Sequence, residues 1–364
     1  MTNSLTPTTE QQLADALHEA ADSKAITHLG GAFSKTNMAG RVESPQRTIS
    51  TCAMRRLLQY EPRDLTISVE AGFPWRDLAA LLAENRQTIP LDPPYANDAT
   101  VGGVIAANTS GPRRRLYGSA RDLVIGMRFA TLEGKIVQTG GMVVKNVAGL
   151  DMAKLLIGSF GTLAAIASVN FKLIPLPLEH RTFVLPFATA AEAIAARDRV
   201  LNSPLQPAAL DIVKDATATT LLIEAGGNAA LMTRYEKELA STGLLDYDWT
   251  AIREFTPRYL AANPAACVAR LSTTLTGLQA VLESSIHPIL ARAGNAIAFL
   301  HFPSPEIAAE WAGRAENQNW RFVFEYGIQR DSASFSADFA MMGKVKNLFD
   351  PQHILNPGRM YGRI

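Results

Sequence analysis

Between residues 90 and 163 the chain is dense in glycine, with Gly102, Gly103, Gly111, Gly118, Gly149, Gly158 and Gly161 set among small polar residues and short apolar runs. A solvated linker would carry long side chains at such a density of turns. This mixture instead describes backbone that comes close to a ligand. A diphosphate needs several N–H donors converging on it, and convergence requires turns with positive φ or positions without a Cβ. One Gly-Gly pair would read as a turn or a helix cap. The recurrence of such pieces in one stretch is what constrains the fold.

The segments ATVGGVIAANTSGPRR, YGSARDLVIG, VVKNVAGLD and GSFGTLAAI in this stretch resemble the FAD-binding domain of the vanillyl-alcohol oxidase type, and most closely the FAD-binding subunits of bacterial glycolate oxidases. Upstream, HLGGAFSKTNMAGR (28–41) is similar to that family's first pyrophosphate loop. Downstream, LFDPQHILNPGRMY (348–361) is similar to its closing segment.

The resemblance implies an α+β fold: a two-subdomain FAD-binding domain of the vanillyl-alcohol oxidase type with an inserted, reduced α+β cap. The implied division is 1–178 for the FAD domain, 179–330 for the cap and 331–364 for a segment returning to the FAD domain. The cofactor residues it implies are Gly30, Gly31 and Ser34 in the first loop; Pro94, Thr100, Gly102 and Gly103 in the second; Asn108, Ser110 and Gly111 toward the adenosine or diphosphate; Gly118, Arg121 and Asp122 in the next turn; Gly158, Gly161, Thr162 and Ile166; and Asn356 at the end. Relatives that tether FAD covalently use a histidine in the first loop. Positions 32–40 hold no His or Cys, so dissociable FAD is expected.

Several residues keep two readings. His28 precedes the glycines, as an ordinary strand histidine or a flavin contact. Lys145 is a surface lysine or a cation beside the flavin. The run Arg113-Arg114-Arg115 is a solvated face, with phosphate binding or partner docking as the other reading. Asn356 approaches the ring or caps the turn Asn356-Pro357-Gly358.

At 364 residues two packed domains are expected. With 35 Lys+Arg against 34 Asp+Glu, the chain has no charge excess for tracking nucleic acid. Two cysteines, Cys52 and Cys267, cannot supply the four thiolates of an iron–sulfur cluster. Electrons leaving a flavin here therefore need another carrier. The six histidines show no ligand spacing, so no metal is expected. The polar start MTNSLTPTTEQQ lacks a signal-peptide pattern, and the expectation is a cytoplasmic protein, peripheral at the inner face of the cell membrane only through partners.

In chain order, Thr8-Thr9-Glu10 begins a helix with Leu13, Ala14, Leu17, Ala20 and Ala21 on one face. Strands are expected at 48–50 and 65–69, a helix at 75–84, a small-residue helix at 104–107, a hairpin across 126–139 and a strand at 163–173. Beyond, strands are expected at 181–186, 209–213, 220–224, 297–302 and 321–326, and helices at 190–200, 232–239, 278–291, 305–315 and 337–349.

By resemblance the function is oxidation of a 2-hydroxy acid, glycolate to glyoxylate, with hydride transfer to FAD and electrons passed to a second flavoprotein subunit and an iron–sulfur subunit. That chemistry needs a cation for the carboxylate and a base for the hydroxyl proton. Arg270, His301, Arg321 and Tyr326 have suitable side chains, but no spacing unites them, and the catalytic residues stay unassigned. The alternative is a FAD-binding relay or scaffold subunit that does not itself oxidise substrate. A lone oxidase acting on another alcohol and a nucleotide-binding module without redox chemistry are further alternatives.

Overall fold

The computed structural model describes residues 3–142, 151–329 and 336–364. The chain divides into two compact units: Met1–Ser110, Ser119–Leu176 and Ser336–Ile364 form one, Gly111–Gly118 and Pro177–Phe335 the other. The division thus falls at residue 176, and the short piece 111–118, placed by the sequence within the first domain, groups with the second unit.

The first unit holds two sheets. A parallel three-stranded sheet has Arg47–Ser50 between Asn3–Leu5 and Thr27–Gly30. An antiparallel five-stranded sheet runs in the order Leu57–Glu61, Thr66–Glu70, Ala165–Lys172, Val124–Ala130, Ile136–Gly140. The helix Glu10–Asp22 starts where Thr9 Oγ1 accepts from the Gln12 N–H at 3.2 Å, as its sequence indicates. Leu13, Leu17 and Ala20 pack it with Leu29 and Ile49 of the small sheet and with Ala130, Ala165 and Ala167 of the large one.

A second core lies between the large sheet and the helices Trp75–Glu84 and Val101–Ala107. There Leu78, Leu82, Val104 and Ile105 meet Val69, Phe129, Val169 and Phe171. The residues 143–150, which include Lys145 and most of VVKNVAGLD, lie outside the described residues.

The second unit is a seven-stranded antiparallel sheet in the order Glu179–Phe187, Thr219–Gly227, Ala209–Lys214, Ile289–Arg292, Ile297–Phe302, Cys267–Ser272, Arg321–Tyr326. The helices Ala190–Leu201, Ala229–Leu239, Leu278–Glu283 and Pro305–Asn317 share one core with it. The first of these begins with a capping box between Thr189 and Glu192.

Two strands of this sheet differ from expectation. The helix expected over 278–291 ends at Glu283, and Ile289–Arg292 is a central strand. Three apolar residues and an arginine after Pro288 are too few to show a periodicity of their own, and pairing on both sides decides their conformation. Cys267–Ser272 is also a strand, its Cys267, Ala269 and Leu271 facing the helices.

Of the arginine run, Arg114 is exposed as a solvated face would have it, whereas Arg113 and Arg115 are not. Arg113 makes a two-pronged pair with Glu224, Nε to Oε2 at 3.0 Å and Nη2 to Oε1 at 2.8 Å. Arg115 donates to the Pro207 carbonyl at 3.2 Å, and burial lowers its pKa. Both side chains are spent holding residues 111–118 to this unit.

Register brings together some of the residues that spacing could not. Val268 pairs with His301 and Arg270 with Phe299. Arg270 and His301 therefore leave the sheet on the face opposite Ala269, Leu300 and Phe302, which join the helix-side core. Arg321, opposite Ser272, is exposed.

Neither inward group is idle. Glu325 pairs with Arg270 at 2.9 Å, and burial raises the Glu325 pKa. His301 is fully buried between the rings of Phe255 and Tyr259, with Nε2 2.9 Å from Thr256 Oγ1 and Nδ1 3.3 Å from the Pro288 carbonyl oxygen.

Burial pushes the His301 pKa down to about 4. In the unfolded chain it titrates near the ordinary value of about 6.5. Between those values the unfolded state binds the extra proton, so stability falls as pH drops through the window. The expected loss is about 3 kcal/mol between pH 7 and pH 4. Urea unfolding of wild type and His301→Gln at several pH values checks it. The variant should lose markedly less stability on acidification, and equal losses would remove His301 as the cause.

Candidate functional site

The strand Thr27–Gly30 ends in a turn held from beneath. The Gly30 carbonyl accepts from the Thr51 N–H at 2.9 Å and the Gly31 carbonyl from the Ser50 hydroxyl at 2.8 Å. Phe33, with φ of 55°, lays its ring over Gly30 and against His28, whose ring centroid is 4.6 Å away. The bulky residue in an otherwise small loop thus covers a position that has no side chain.

Gly31 abuts Thr100. A Cβ on Gly31 would lie 2.0 Å from Thr100 Oγ1, the atom that accepts from the Gly103 N–H to cap the helix Val101–Ala107. On this helix Gly102 lies against Ala71, where a Cβ would come within 2.8 Å of the alanine methyl. These contacts require glycine for packing.

The loop, the helix and the segment 160–166 line a cleft that is partly open to solvent. Gly102, Gly103, Ala106 and Ala107 form one wall, one face of the helix with no long side chain. Gly30, Gly31, Ser34 and Thr100 belong to the lining, as do Gly161 and Ile166. The slot is open rather than filled by the protein's own side chains.

The other sequence-derived residues lie outside the lining. Asp122 accepts from the Ser119 N–H and hydroxyl at 2.8 and 3.0 Å in a capping box, and Arg121 donates to the Lys154 carbonyl. Gly118 ends the turn Arg114–Tyr117 with φ of 84°. Gly111 and Gly118 fall in the second unit, and Pro94 is not on the cavity wall. Gly158, with φ of 86°, backs onto Asn108, and the Thr162 hydroxyl donates to the Ser159 carbonyl at 2.7 Å.

Asn356 neither caps its own turn nor enters the cavity. Its side chain accepts from the Leu29 N–H at 2.8 Å and donates to the carbonyls of Leu29 and Phe160 at 2.9 and 2.7 Å.

Thr51, Phe160 and Arg359 line the cavity and were not singled out in the sequence. Arg359 is 6% exposed and donates to the carbonyls of Thr36 (2.5 Å), Gly40 (3.1 Å) and Lys35 (3.2 Å) while lying over the Phe160 ring. It follows Asn356-Pro357-Gly358, the one local hint available. His28 also lines the cavity, its pKa lowered by burial and then by the Arg359 charge.

A dinucleotide can be tested against the residues present. Asn108 Oδ1, Thr109 Oγ1 and Ser110 Oγ follow the helix directly, are sealed from solvent, and have no hydrogen-bond partner. Buried polar atoms are normally satisfied. These three orphans follow the Ala107 wall in sequence, outside the lining itself, and are unspent polar groups of the kind a dinucleotide would use.

Residues 3–140 match the family model of the FAD binding domain, and residues 333–360 match that of the C-terminal domain of FAD linked oxidases. The chain carries an FAD-binding domain, and its cofactor is FAD. Among curated proteins, the glycolate oxidase subunit GlcE of Escherichia coli (strain K12) is 36% identical over 46% of this chain and 47% of its own length. The glycolate oxidase subunit GlcD of Bacillus subtilis (strain 168) is 31% identical over 45% of this chain and 35% of its own. The aligned parts thus span half or less of these relatives. A D-lactate dehydrogenase of Archaeoglobus fulgidus is 26% identical over 74% of this chain and 72% of its own length. The fold matches solved alkyldihydroxyacetonephosphate synthase with a TM-score of 0.74 at 17% identity, over 97% of this chain and 76% of that one. The solved structures show the α+β fold, and the family models show an FAD-binding domain within it.

Proposed function

We propose that this chain is the FAD-binding subunit of a multi-subunit 2-hydroxy acid oxidoreductase whose substrate is glycolate. The small-walled cavity beside the orphaned oxygens of residues 108–110 carries the reading, because it supplies room and unspent polar groups for the cofactor. The relatives named as glycolate oxidase subunits and D-lactate dehydrogenases support a small 2-hydroxy acid as the substrate.

Bound FAD supplies the hydride acceptor. The chain's part is to hold it: Gly30, Gly31 and Thr100 shape the turn, Gly102, Gly103, Ala106 and Ala107 leave the space, and Asn108, Thr109 and Ser110 offer oxygens. Lys35, 7% exposed on the lining, adds positive charge toward a diphosphate. FAD is held without a covalent bond, since positions 32–40 hold no His or Cys to tether it.

With only two cysteines in the chain, electrons leave through a second flavoprotein subunit and an iron–sulfur subunit. No helix among the described residues is long and apolar enough to cross a membrane. We place the protein in the cytoplasm, at the inner face of the cell membrane only through those partners.

A second reading has its own support. Arg270 and His301, the carboxylate and base candidates, are engaged with Glu325 and with Thr256 and the Pro288 carbonyl. That favours a subunit that binds FAD and relays electrons without oxidising substrate.

Anaerobic titration of the purified yellow protein with glycolate, then D-lactate, separates the two. Loss of the oxidised flavin absorption within seconds to minutes is the result expected for a hydroxy acid oxidoreductase. A flavin that stays oxidised until the partner subunits are added supports the relay.

A further inference from the structure

We infer that the C-terminal segment 350–359 is a clasp that sets the separation of the two cavity walls, with Asn356 as its central positioning residue and Arg359 as its second tie. The inference rests on the cofactor assignment and concerns how tightly the cavity keeps its ligand.

The two walls are distant in sequence. One follows Leu29 into Gly30 and Gly31, and the other follows Phe160 into Gly161. Leu29 packs in one buried core with Ala165 of the second wall, and Asn356 adds polar ties between the two. Its amide group donates one N–H to the Leu29 carbonyl and the other to the Phe160 carbonyl, while its oxygen accepts from the Leu29 N–H. Both donors and one acceptor site are therefore spent on bridging. Asn356 is 2% exposed, so water cannot take over these bonds.

The surrounding backbone is arranged to admit this side chain. Phe160 and Gly161 both have positive φ, 53° and 71°. A Cβ at Gly161 would lie 2.7 Å from Asn356 Nδ2. Glycine at 161 is thus required by the close approach of the amide as well as by the turn.

The segment itself is docked on the strand Thr27–Gly30. Thr27 N–H donates to the Ile354 carbonyl at 2.8 Å, and Asn356 N–H to the Thr27 carbonyl at 3.0 Å. Three residues on, Arg359 reaches the carbonyls of Lys35, Thr36 and Gly40 and lies over the Phe160 ring, 5.1 Å from its centroid. Asn356 and Arg359 thus each touch both walls. A cavity whose walls are fixed before binding loses less freedom on binding, so the clasp acts on FAD affinity.

The test uses the full chain as apo-protein, with Asn356→Ala, Asn356→Asp and Arg359→Gln. Readouts are the FAD dissociation constant, the absorption spectrum of the bound flavin, circular dichroism, and hydrogen exchange of peptides covering residues 27–36 and 158–166. Asn356→Ala is expected to weaken FAD at least tenfold, to speed exchange in both peptides together, and to alter the flavin band shape at saturating FAD. Asn356→Asp should be worse, since its carboxylate would face two carbonyls. Should an Asn356 variant not fold, Arg359→Gln, which leaves the amide bridge in place, is expected to show the same paired exchange and a weaker FAD. Wild-type affinity and spectrum in folded variants would overturn the clasp while leaving the cofactor assignment standing. A wild-type protein that takes up no FAD would overturn both.

Discussion

Asp350→Ala is expected to destabilise the protein by about 3–5 kcal/mol, the usual cost of stripping one partner from a buried ion pair. Lys346 and Asp350 are both fully buried, and Lys346 Nζ lies 2.6 Å from Asp350 Oδ2. The ammonium donates further to the carbonyls of Thr162 and Leu355, both at 2.8 Å. Asp350 in turn accepts from the N–H groups of Ile354 and Leu355 at 3.1 and 2.7 Å. The pair therefore ties the helix Ser336–Phe349 to the loop at Thr162 and to the segment that follows.

Burial lowers the Lys346 pKa and the aspartate opposes that shift. Without the carboxylate, the lysine must stay charged without its counterion or release its proton, and both options cost stability. Lys346→Met should cost a similar amount, because it leaves the carboxylate buried. The double variant Lys346→Met/Asp350→Leu should cost clearly less than the sum of the two. Chemical denaturation of the four proteins gives the cycle. Single variants within about 1 kcal/mol of wild type would show that the pair contributes little, as surface pairs do.

Gly103→Leu is expected to abolish FAD uptake, weakening it at least a hundredfold, in a protein whose apo form is as stable as wild type. A Cβ at Gly103 meets only Thr100 Oγ1, at 3.2 Å, and the residue lines the cavity. Leucine favours a helix over glycine by about 0.5–1 kcal/mol, which offsets the few tenths of an ångström that Thr100 must give. The new side chain would stand on the cavity wall, in the way of a ligand.

Gly31→Ala supplies the contrast. Its Cβ would fall 2.0 Å from Thr100 Oγ1, and it should lose both stability and FAD. Gly313→Ala, where nothing lies within 4 Å, should change neither by much. Flavin fluorescence titration and thermal melts of the apo-proteins read all three. Normal FAD binding by the Gly103→Leu protein would move the cofactor out of this cavity.

Much of the cavity was legible in the sequence because its requirements are local. Gly102 and Gly103 sit at the start of a small-residue helix, Thr100 is placed to cap it, and Gly30-Gly31 end a short strand. Such features are written in consecutive residues and survive any error in the tertiary arrangement. The strand at 289–292 was not legible, because its residues carry no periodicity and take their conformation from two neighbouring strands. Arg113 reads as a solvated charge until Glu224, 111 residues on, is brought to it.

By itself the sequence determined where the backbone can turn sharply and where no side chain stands in a ligand's way, since these follow from residue type within a few positions. Only the tertiary structure decided which backbone groups of those turns residues 346–359 hold. Lys346, Asn356 and Arg359 are ordinary polar residues until the fold removes water from around them. Their partners are backbone carbonyls at residues 29, 36, 160 and 162, and a carbonyl has no sequence signature.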